Sequence, residues 1–223
     1  MSAEAEARKP QQGTIGFNLA AIMLVLALLG VGAAYLLDAA GRAARTQAHR
    51  LDTETTLTRT LGGRDLQIPL SWFRYEEQRV EGFAKQIDLR FELPLGVAGK
   101  REAVEVTLLP RSRARPSAAL LDGVYLHQFL PEQVSGPPGL VGKPLNPDEG
   151  YAGETVWYDP LSADPFVAKC SKPVAATGAG QCLRTVYLGP GIAAIYAFPE
   201  AALTHWRDFD GLLTARLGQI GAL

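Results

Sequence analysis

The stretch that decides the fold is residues 87–108, which read IDLRFELPLGVAGKREAVEVTL. Apolar side chains alternate with charged ones over residues 87–93, and alternation with a period of two is typical of a strand with one buried and one solvated face. After a glycine-containing turn at 96–100, the alternation returns over 104–108. Two such runs joined by a short turn predict an antiparallel hairpin. We therefore expect a domain built on an antiparallel sheet.

Further strand-like segments lie on both sides of this hairpin. Residues 55–61 and 64–68 flank Gly62-Gly63, a dipeptide that supplies the positive φ a tight hairpin requires. Five more short runs rich in β-branched and aromatic residues are predicted strands: 124–129, 155–158, 166–170, 182–188 and 192–198. Together they predict a meander of eight or nine strands.

The segment 131–153 is dense in Pro, Gly and Asn, and it is predicted to be a long loop. A helix is expected after Pro199-Glu200, because proline suits the first helical turn and an acidic residue there interacts favourably with the helix dipole. Its apolar positions recur every three or four residues, at Leu203, Trp206, Phe209, Leu213, Leu217 and Ile220. We expect this stripe to cover one face of the sheet, and a helix that binds a partner or lies on lipid is the alternative.

An apolar segment precedes the domain. Residues 19–37 contain no charge, and 19 residues are enough to cross the hydrocarbon core of a bilayer as a helix. A cleaved signal peptide and a buried core helix are the alternatives, but a signal peptide usually has a shorter apolar region. The predicted organisation is a polar tail at 1–18, a transmembrane helix at 19–37, a stalk at 38–52 and a β-rich domain at 53–223. The predicted fold class is therefore α+β: a single transmembrane helix, a mainly antiparallel β domain and a C-terminal amphipathic helix.

Charge argues against a nucleic-acid partner. Residues 51–223 contain 17 Lys and Arg against 20 Asp and Glu, which leaves the domain mildly acidic. Binding to nucleic acid normally requires a basic surface.

The excess of Arg over Lys, 16 to 6, together with abundant Ala and Gly, is typical of a GC-rich bacterial genome.

The side of the membrane is inferred from two cysteines. Cys170 and Cys182 are the only two in the chain, and they border a Gly-, Ala- and Pro-rich segment between two predicted strands. This arrangement favours a disulfide that closes a hairpin, with two free core thiols as the alternative. Disulfides persist outside the cytoplasm. We therefore expect a protein of the bacterial inner membrane that crosses the membrane once. Residues 19–37 would contact the lipid, and the C-terminal domain would lie in the periplasm.

Besides the loop 131–153, two segments are candidates for binding a protein partner. One combines three aromatic residues with an arginine after Pro69, and Trp, Tyr and Arg are enriched at interfaces, although they are also ordinary core residues near a strand end. The other is a link with alternating arginines before Pro116, which could face an anionic partner or be a solvated turn. The candidate residues are Trp72, Phe73, Arg74, Tyr75, Arg111, Arg113 and Arg115.

No motif indicates catalysis. His205 has Asp208 three residues later, yet no serine stands in a G-x-S-x-G turn, and no H-E-x-x-H sequence occurs. No metal site or cofactor is predicted. The sequence therefore favours a membrane-anchored, non-enzymatic accessory or assembly subunit that binds an envelope or membrane protein. The alternatives are a ligand-binding or sensing domain with a pocket under the loop 131–153, and a hydrolase whose triad uses His127 or His205.

Overall fold

The computed structural model describes most of the chain, namely residues 21–26, 28–34, 55–96, 99–172 and 180–223. Contacts divide the chain into two units, Met1–Leu51 and Asp52–Leu223, and every described strand belongs to the second. The described part of the first unit is helical.

The predicted anchor is only partly described. Across the residues that the structure describes, no helix has the length and apolar character needed to cross a membrane. Six positions of the predicted segment 19–37 lie outside the described residues, as do the whole of the predicted tail 1–18 and the whole of the predicted stalk 38–52. The transmembrane helix at 19–37 therefore stays a prediction.

The domain begins with a three-stranded sheet. Its strands are β1 (Thr56–Leu61), β2 (Arg64–Pro69) and β3 (Gly82–Phe83), in the order β2-β1-β3. β1 pairs antiparallel with β2 and parallel with β3. Gly62 and Gly63 connect β1 to β2 with φ angles of 59° and 81°, so the predicted hairpin and the reason for its glycines are both confirmed.

A seven-stranded antiparallel sheet contains the other described strands, which are β4 (Ile87–Leu93), β5 (Glu102–Pro110), β6 (Val141–Pro144), β7 (Glu154–Tyr158), β8 (Val167–Ser171), β9 (Gln181–Leu188) and β10 (Ile192–Pro199). Their order in the sheet is β4-β5-β10-β9-β8-β7-β6. The predicted hairpin at 87–108 is β4 paired with β5. Strands β6 to β10 form a meander of their own, but it does not continue from the hairpin as predicted, because its last strand, β10, pairs with β5.

The strand prediction at 124–129 is wrong. The chain forms an α-helix at Ser117–Gly123 and then a 3₁₀ turn at Tyr125–Gln128. The run 124–129 is only partly apolar, and six residues of this kind cannot by themselves distinguish a strand from a buried helical turn. Here Tyr125 is buried beside Leu121 of the preceding helix, so tertiary packing determines the conformation.

The segment 131–153 is more ordered than a simple loop. It contains the edge strand β6 and a 3₁₀ turn at Pro147–Glu149, in which the Asn146 side chain accepts a hydrogen bond from the Asp148 amide. β6 ends in Pro144, and proline is tolerated in a strand at the edge of a sheet. Further 3₁₀ turns lie at Leu70–Trp72, Glu76–Gln78, Arg111–Arg113 and Glu200–His205.

The C-terminal helix, Trp206–Gln219, packs on the large sheet as predicted. The residues before it, Glu200–His205, form a 3₁₀ turn instead of the predicted start of the helix. Phe209, Leu213 and Leu217 are fully buried in the main core. The Phe209 ring lies 4.4 Å from that of Phe198 and 5.9 Å from that of Tyr196, both in β10. The predicted stripe therefore covers the sheet.

A buried arginine also connects this helix to the sheet. Arg184 of β9 donates to both carboxylate oxygens of Asp210, over 2.6 and 3.0 Å, and to the carbonyl of Val167. Its guanidinium lies 4.5 Å from the centre of the Phe166 ring. Nearby, burial raises the pKa of Tyr196, and the negative charge of Asp210 raises it further.

A second, smaller core lies on the opposite face of the large sheet. Val156 and Trp157 are neighbours in β7, so their side chains point to opposite faces. Trp157 belongs to the main core, whereas Val156 packs with Leu121 and Tyr125 in the second cluster. Burial raises the pKa of Tyr125, with a further contribution from the charge of Glu154. Both faces of the sheet are therefore covered at this end.

Candidate functional site

The predicted disulfide is present. Cys170 and Cys182 are bonded, and they lie directly opposite each other in the antiparallel pair β8 and β9, with Cα atoms 3.9 Å apart. Both are buried. The segment 173–179, which the bridge encloses, lies outside the described residues.

Two of the aromatic candidates contribute to the core. Trp72 packs edge to face on Phe91, with ring centres 4.9 Å apart. Phe73 is buried, and its backbone forms an isolated antiparallel bridge with Leu89 of β4. These contacts support the structural interpretation of Trp72 and Phe73, while their proposed role at an interface stays a prediction.

The next two candidates lie nearer the surface. Arg74 forms an ion pair with Glu105 of β5 over 2.6 Å, and its guanidinium lies 4.9 Å from the centre of the Tyr75 ring. Tyr75 is exposed. Of the aromatic candidates in this segment, Tyr75 is therefore the one available to a partner without rearrangement.

The three arginines of the predicted link have different environments. Arg111 stacks 3.9 Å over the ring of Tyr187. Arg113 donates a hydrogen bond of 3.3 Å to the carbonyl of Lys85, and Arg115 is exposed to solvent. Stacking and hydrogen bonding fix the direction of the first two side chains, and all three residues remain at the surface.

Close to the contact between Arg113 and Lys85 lie two exposed apolar side chains that no sequence pattern predicts. Phe83, in the edge strand β3, is 89% exposed, and nearby Val80 is 54% exposed. No periodic pattern marks these two residues, because β3 is only two residues long. We call Val80, Phe83, Lys85 and Arg113 the β3 patch.

A buried carboxylate holds the segment that carries this patch. Asp88 is buried in β4, and its oxygens accept hydrogen bonds from the side chains of Gln78, Gln86 and Thr107 over 2.7 to 3.0 Å. The Asp88 amide in turn donates to the Gln78 side chain over 2.7 Å. The segment 80–85, which carries Val80, Phe83 and Lys85, therefore lies between two glutamines that are both bound to one residue of the large sheet.

A buried arginine supports the β3 patch from the other side. Arg59 of β1 donates to the carbonyl of Val80 over 2.5 Å, and the β1 carbonyl of Thr60 accepts from the Ala84 amide over 2.9 Å. The exposed apolar side chains therefore project from a backbone that is hydrogen-bonded on both sides of Phe83. Such a segment can present Phe83 without a large loss of entropy on binding.

A cavity of about 330 Å³ lies beneath the segment 131–153. Thr155, Trp157 and Cys170 of β7 and β8 contribute to its lining, together with apolar residues of the overlying segment. Lys172 and Glu200 also line it. The remaining lining residues are Leu130, Val134, Pro144, Leu145, Pro147, Gly153, Glu154 and Ser171.

Two glycines allow the overlying segment to approach the indole of Trp157. A Cβ atom at Gly142 would lie 2.5 Å from a carbon of the Trp157 ring, and one at Gly136 would also overlap it. Since real Cβ atoms do not approach so closely, these positions require glycine for the observed packing. Trp157 is thereby held under the segment as part of the cavity lining.

The two histidines that the sequence suggests for a triad lie in two different turns. His127 lies in the 3₁₀ turn after the Ser117–Gly123 helix rather than in a strand, and His205 ends the turn before the C-terminal helix. In the part of the chain that the structure describes, no group of three His, Cys, Asp or Glu residues could hold a metal ion.

Comparison with known proteins gives no match: no family model, no curated protein and no solved structure matches this chain.

Proposed function

We propose that this protein is a membrane-anchored, non-enzymatic accessory or assembly subunit whose periplasmic domain binds another envelope or membrane protein through the β3 patch. The observation that carries the proposal is the 89% exposure of Phe83 on a backbone fixed by Asp88 and Arg59. Aromatic residues that fill a partner's pocket supply much of the binding energy at interfaces.

The chemistry around Phe83 favours a particular kind of partner. Val80 extends the apolar surface, while Lys85 and Arg113 place two cations beside it. Arg115 and Tyr75 are exposed on neighbouring segments in the chain. The matching surface is an apolar pocket with acidic residues at its rim, since interfaces combine an apolar centre with a complementary charged edge.

The location in the envelope is part of the same proposal. The charge-free segment 19–37 supports an anchor, and the disulfide between Cys170 and Cys182 supports a domain outside the cytoplasm. In this arrangement the anchor keeps the domain near the membrane surface, and the β3 patch selects the partner.

Co-purification tests the proposal. The full-length protein is extracted from its native membrane in mild detergent, and proteins recovered in stoichiometric amount are identified for the wild type, Phe83→Ser and Leu161→Ser. Leu161 is a matched control, because it is 92% exposed and lies outside the patch. We expect the wild type and Leu161→Ser to retain one protein that Phe83→Ser loses.

Either of two results would contradict the proposal. Recovery of the same partner at the same stoichiometry with Phe83→Ser would show that the β3 patch is not the contact. Recovery of no partner with the intact chain would remove the support for a subunit function. Circular dichroism of both variants checks that they are folded, and neither change alters the core because both side chains are exposed.

A further inference from the structure

The cavity beneath the segment 131–153 has the character of a small-molecule site. Its volume of about 330 Å³ falls within the range of ligand pockets, which are mostly apolar with a few polar groups. Leu130, Val134 and Leu145 supply apolar walls, and Thr155 adds a hydroxyl. The alternative function predicted from the sequence, a ligand-binding or sensing domain, places its pocket under this same loop.

The sheet side of the cavity is fixed before any ligand arrives. Thr155 lies opposite Cys170 in the β7–β8 pair, and Cys170 is joined to Cys182 of β9 by the disulfide. Trp157 is held by the close approach of Gly142. A site whose walls are already in place loses little entropy on binding.

Glu154 at the cavity is paired with Lys169 over 2.7 Å, and the two other charges that border the cavity have opposite signs. Lys172 and Glu200 both line it, and both are exposed to solvent. Neither side chain belongs to an ion pair within the described residues. A ligand with a net charge would be attracted by one of these groups and repelled by the other.

We propose that this cavity binds a small molecule without net charge whose body is mainly apolar. The apolar walls favour a compact ring or a branched aliphatic group, and the Thr155 hydroxyl provides a hydrogen-bonding group for one polar atom. The site shares no residue with the β3 patch, so it is a second binding function that does not depend on the proposed partner.

The first test compares three probes that share one ring system. The full chain is titrated by calorimetry and tryptophan fluorescence with neutral 2-naphthol, anionic 2-naphthoate and cationic 2-naphthylmethylammonium. We expect saturable binding of one 2-naphthol per chain, with both charged probes about fivefold weaker, because each loses hydration among the apolar walls and gains no net attraction from two opposite charges. Absence of saturable binding, or equal affinity for all three probes, would overturn the proposal.

Variants that fill the cavity locate the binding. Val134→Trp and Thr155→Phe both add volume at the lining, and Val134 is partly exposed, so its replacement carries little risk to folding. Leu161→Trp adds the same indole at an exposed position outside the cavity. We expect at least about tenfold weaker 2-naphthol binding for folded variants of the lining. Unchanged affinity in folded Val134→Trp would place the probe elsewhere and overturn the assignment.

Variants of the two charges test the selectivity. Glu200→Gln leaves Lys172 as the only charge of the pair and should raise the affinity for 2-naphthoate several-fold. Lys172→Met leaves Glu200 and should do the same for the cationic probe. An unchanged order of the three probes in both variants would show that these residues do not select for neutral ligands, which contradicts the proposal.

Discussion

Replacing Phe209 by alanine tests the packing of the C-terminal helix on the large sheet. The side chain is fully buried, and its ring lies 4.4 Å from Phe198, 5.9 Å from Tyr196 and 6.2 Å from Phe166, measured between ring centres. Removing a buried phenyl group typically lowers the free energy of unfolding by about 3–5 kcal/mol. We expect about 4 kcal/mol, because three rigid aromatic neighbours cannot close the cavity.

The assay is urea unfolding of the purified full-length chain, followed by tryptophan fluorescence. A loss of this size is a large share of the roughly 5–15 kcal/mol that stabilises a domain. Thr214→Ala is the control, because Thr214 is exposed on the same helix and its change should stay within about 0.5 kcal/mol. If Phe209→Ala lost no more than this control, the helix would not be packed as described.

Three further changes have defined outcomes. Cys170→Ala/Cys182→Ala should lower the free energy of unfolding by about 3 kcal/mol, which is the loop-closure value for a separation of 12 residues. In urea unfolding, dithiothreitol should destabilise the wild type and leave the double variant unchanged. Gly142→Ala should cost about 1–3 kcal/mol in the same assay by displacing the Trp157 ring, and an unchanged midpoint would contradict the packing. Burial raises the pKa of Tyr196 above its ordinary value of 10.0. As the pH rises, the Tyr196 hydroxyl therefore ionises in the unfolded chain before it does so in the folded chain. The free energy of unfolding should consequently decrease as the pH rises above about 10. Tyr196→Phe should remove one late-titrating group from an alkaline absorbance titration at about 295 nm, and an identical titration curve would contradict this.

Local patterns in the sequence were enough to predict several elements. The alternation over 87–93 and 104–108 identified β4 and β5, because the side chains of a strand with one buried face must alternate. The recurrence from Leu203 to Ile220 likewise identified the helix and its buried side. The position of Cys170 and Cys182 at the ends of two strand-like runs predicts a bridge that the structure contains.

Tertiary arrangement could not be inferred in the same way. Ile192 and Pro110 pair in β10 and β5 although they are far apart in the chain, and no local pattern indicates which strand edges meet. The density of Pro, Gly and Asn over 131–153 predicts a loop, and Gly142 and Pro144 are poor strand residues. The edge position of β6 nevertheless makes both acceptable there. The predicted strand at 124–129 failed for the related reason that a short apolar run fits either conformation.

The candidate sites were predictable only in part. The sequence identified the arginines of the link and the loop above the cavity, because composition marks both segments. It did not identify Phe83, whose exposure depends on where β3 lies relative to the rest of the domain. Lys172 and Glu200 are separated in the chain, and only folding brings both to the cavity.

The place of β10 between β5 and β9 has a consequence for how the chain folds during synthesis. The β4–β5 hairpin can form early, but the second edge of β5 has no partner until residues 192–199 have emerged. Exposed strand edges promote association between chains. A nascent chain that pauses before β10 should therefore be prone to aggregation and proteolysis, and such intermediates should require a chaperone until the final strand is inserted.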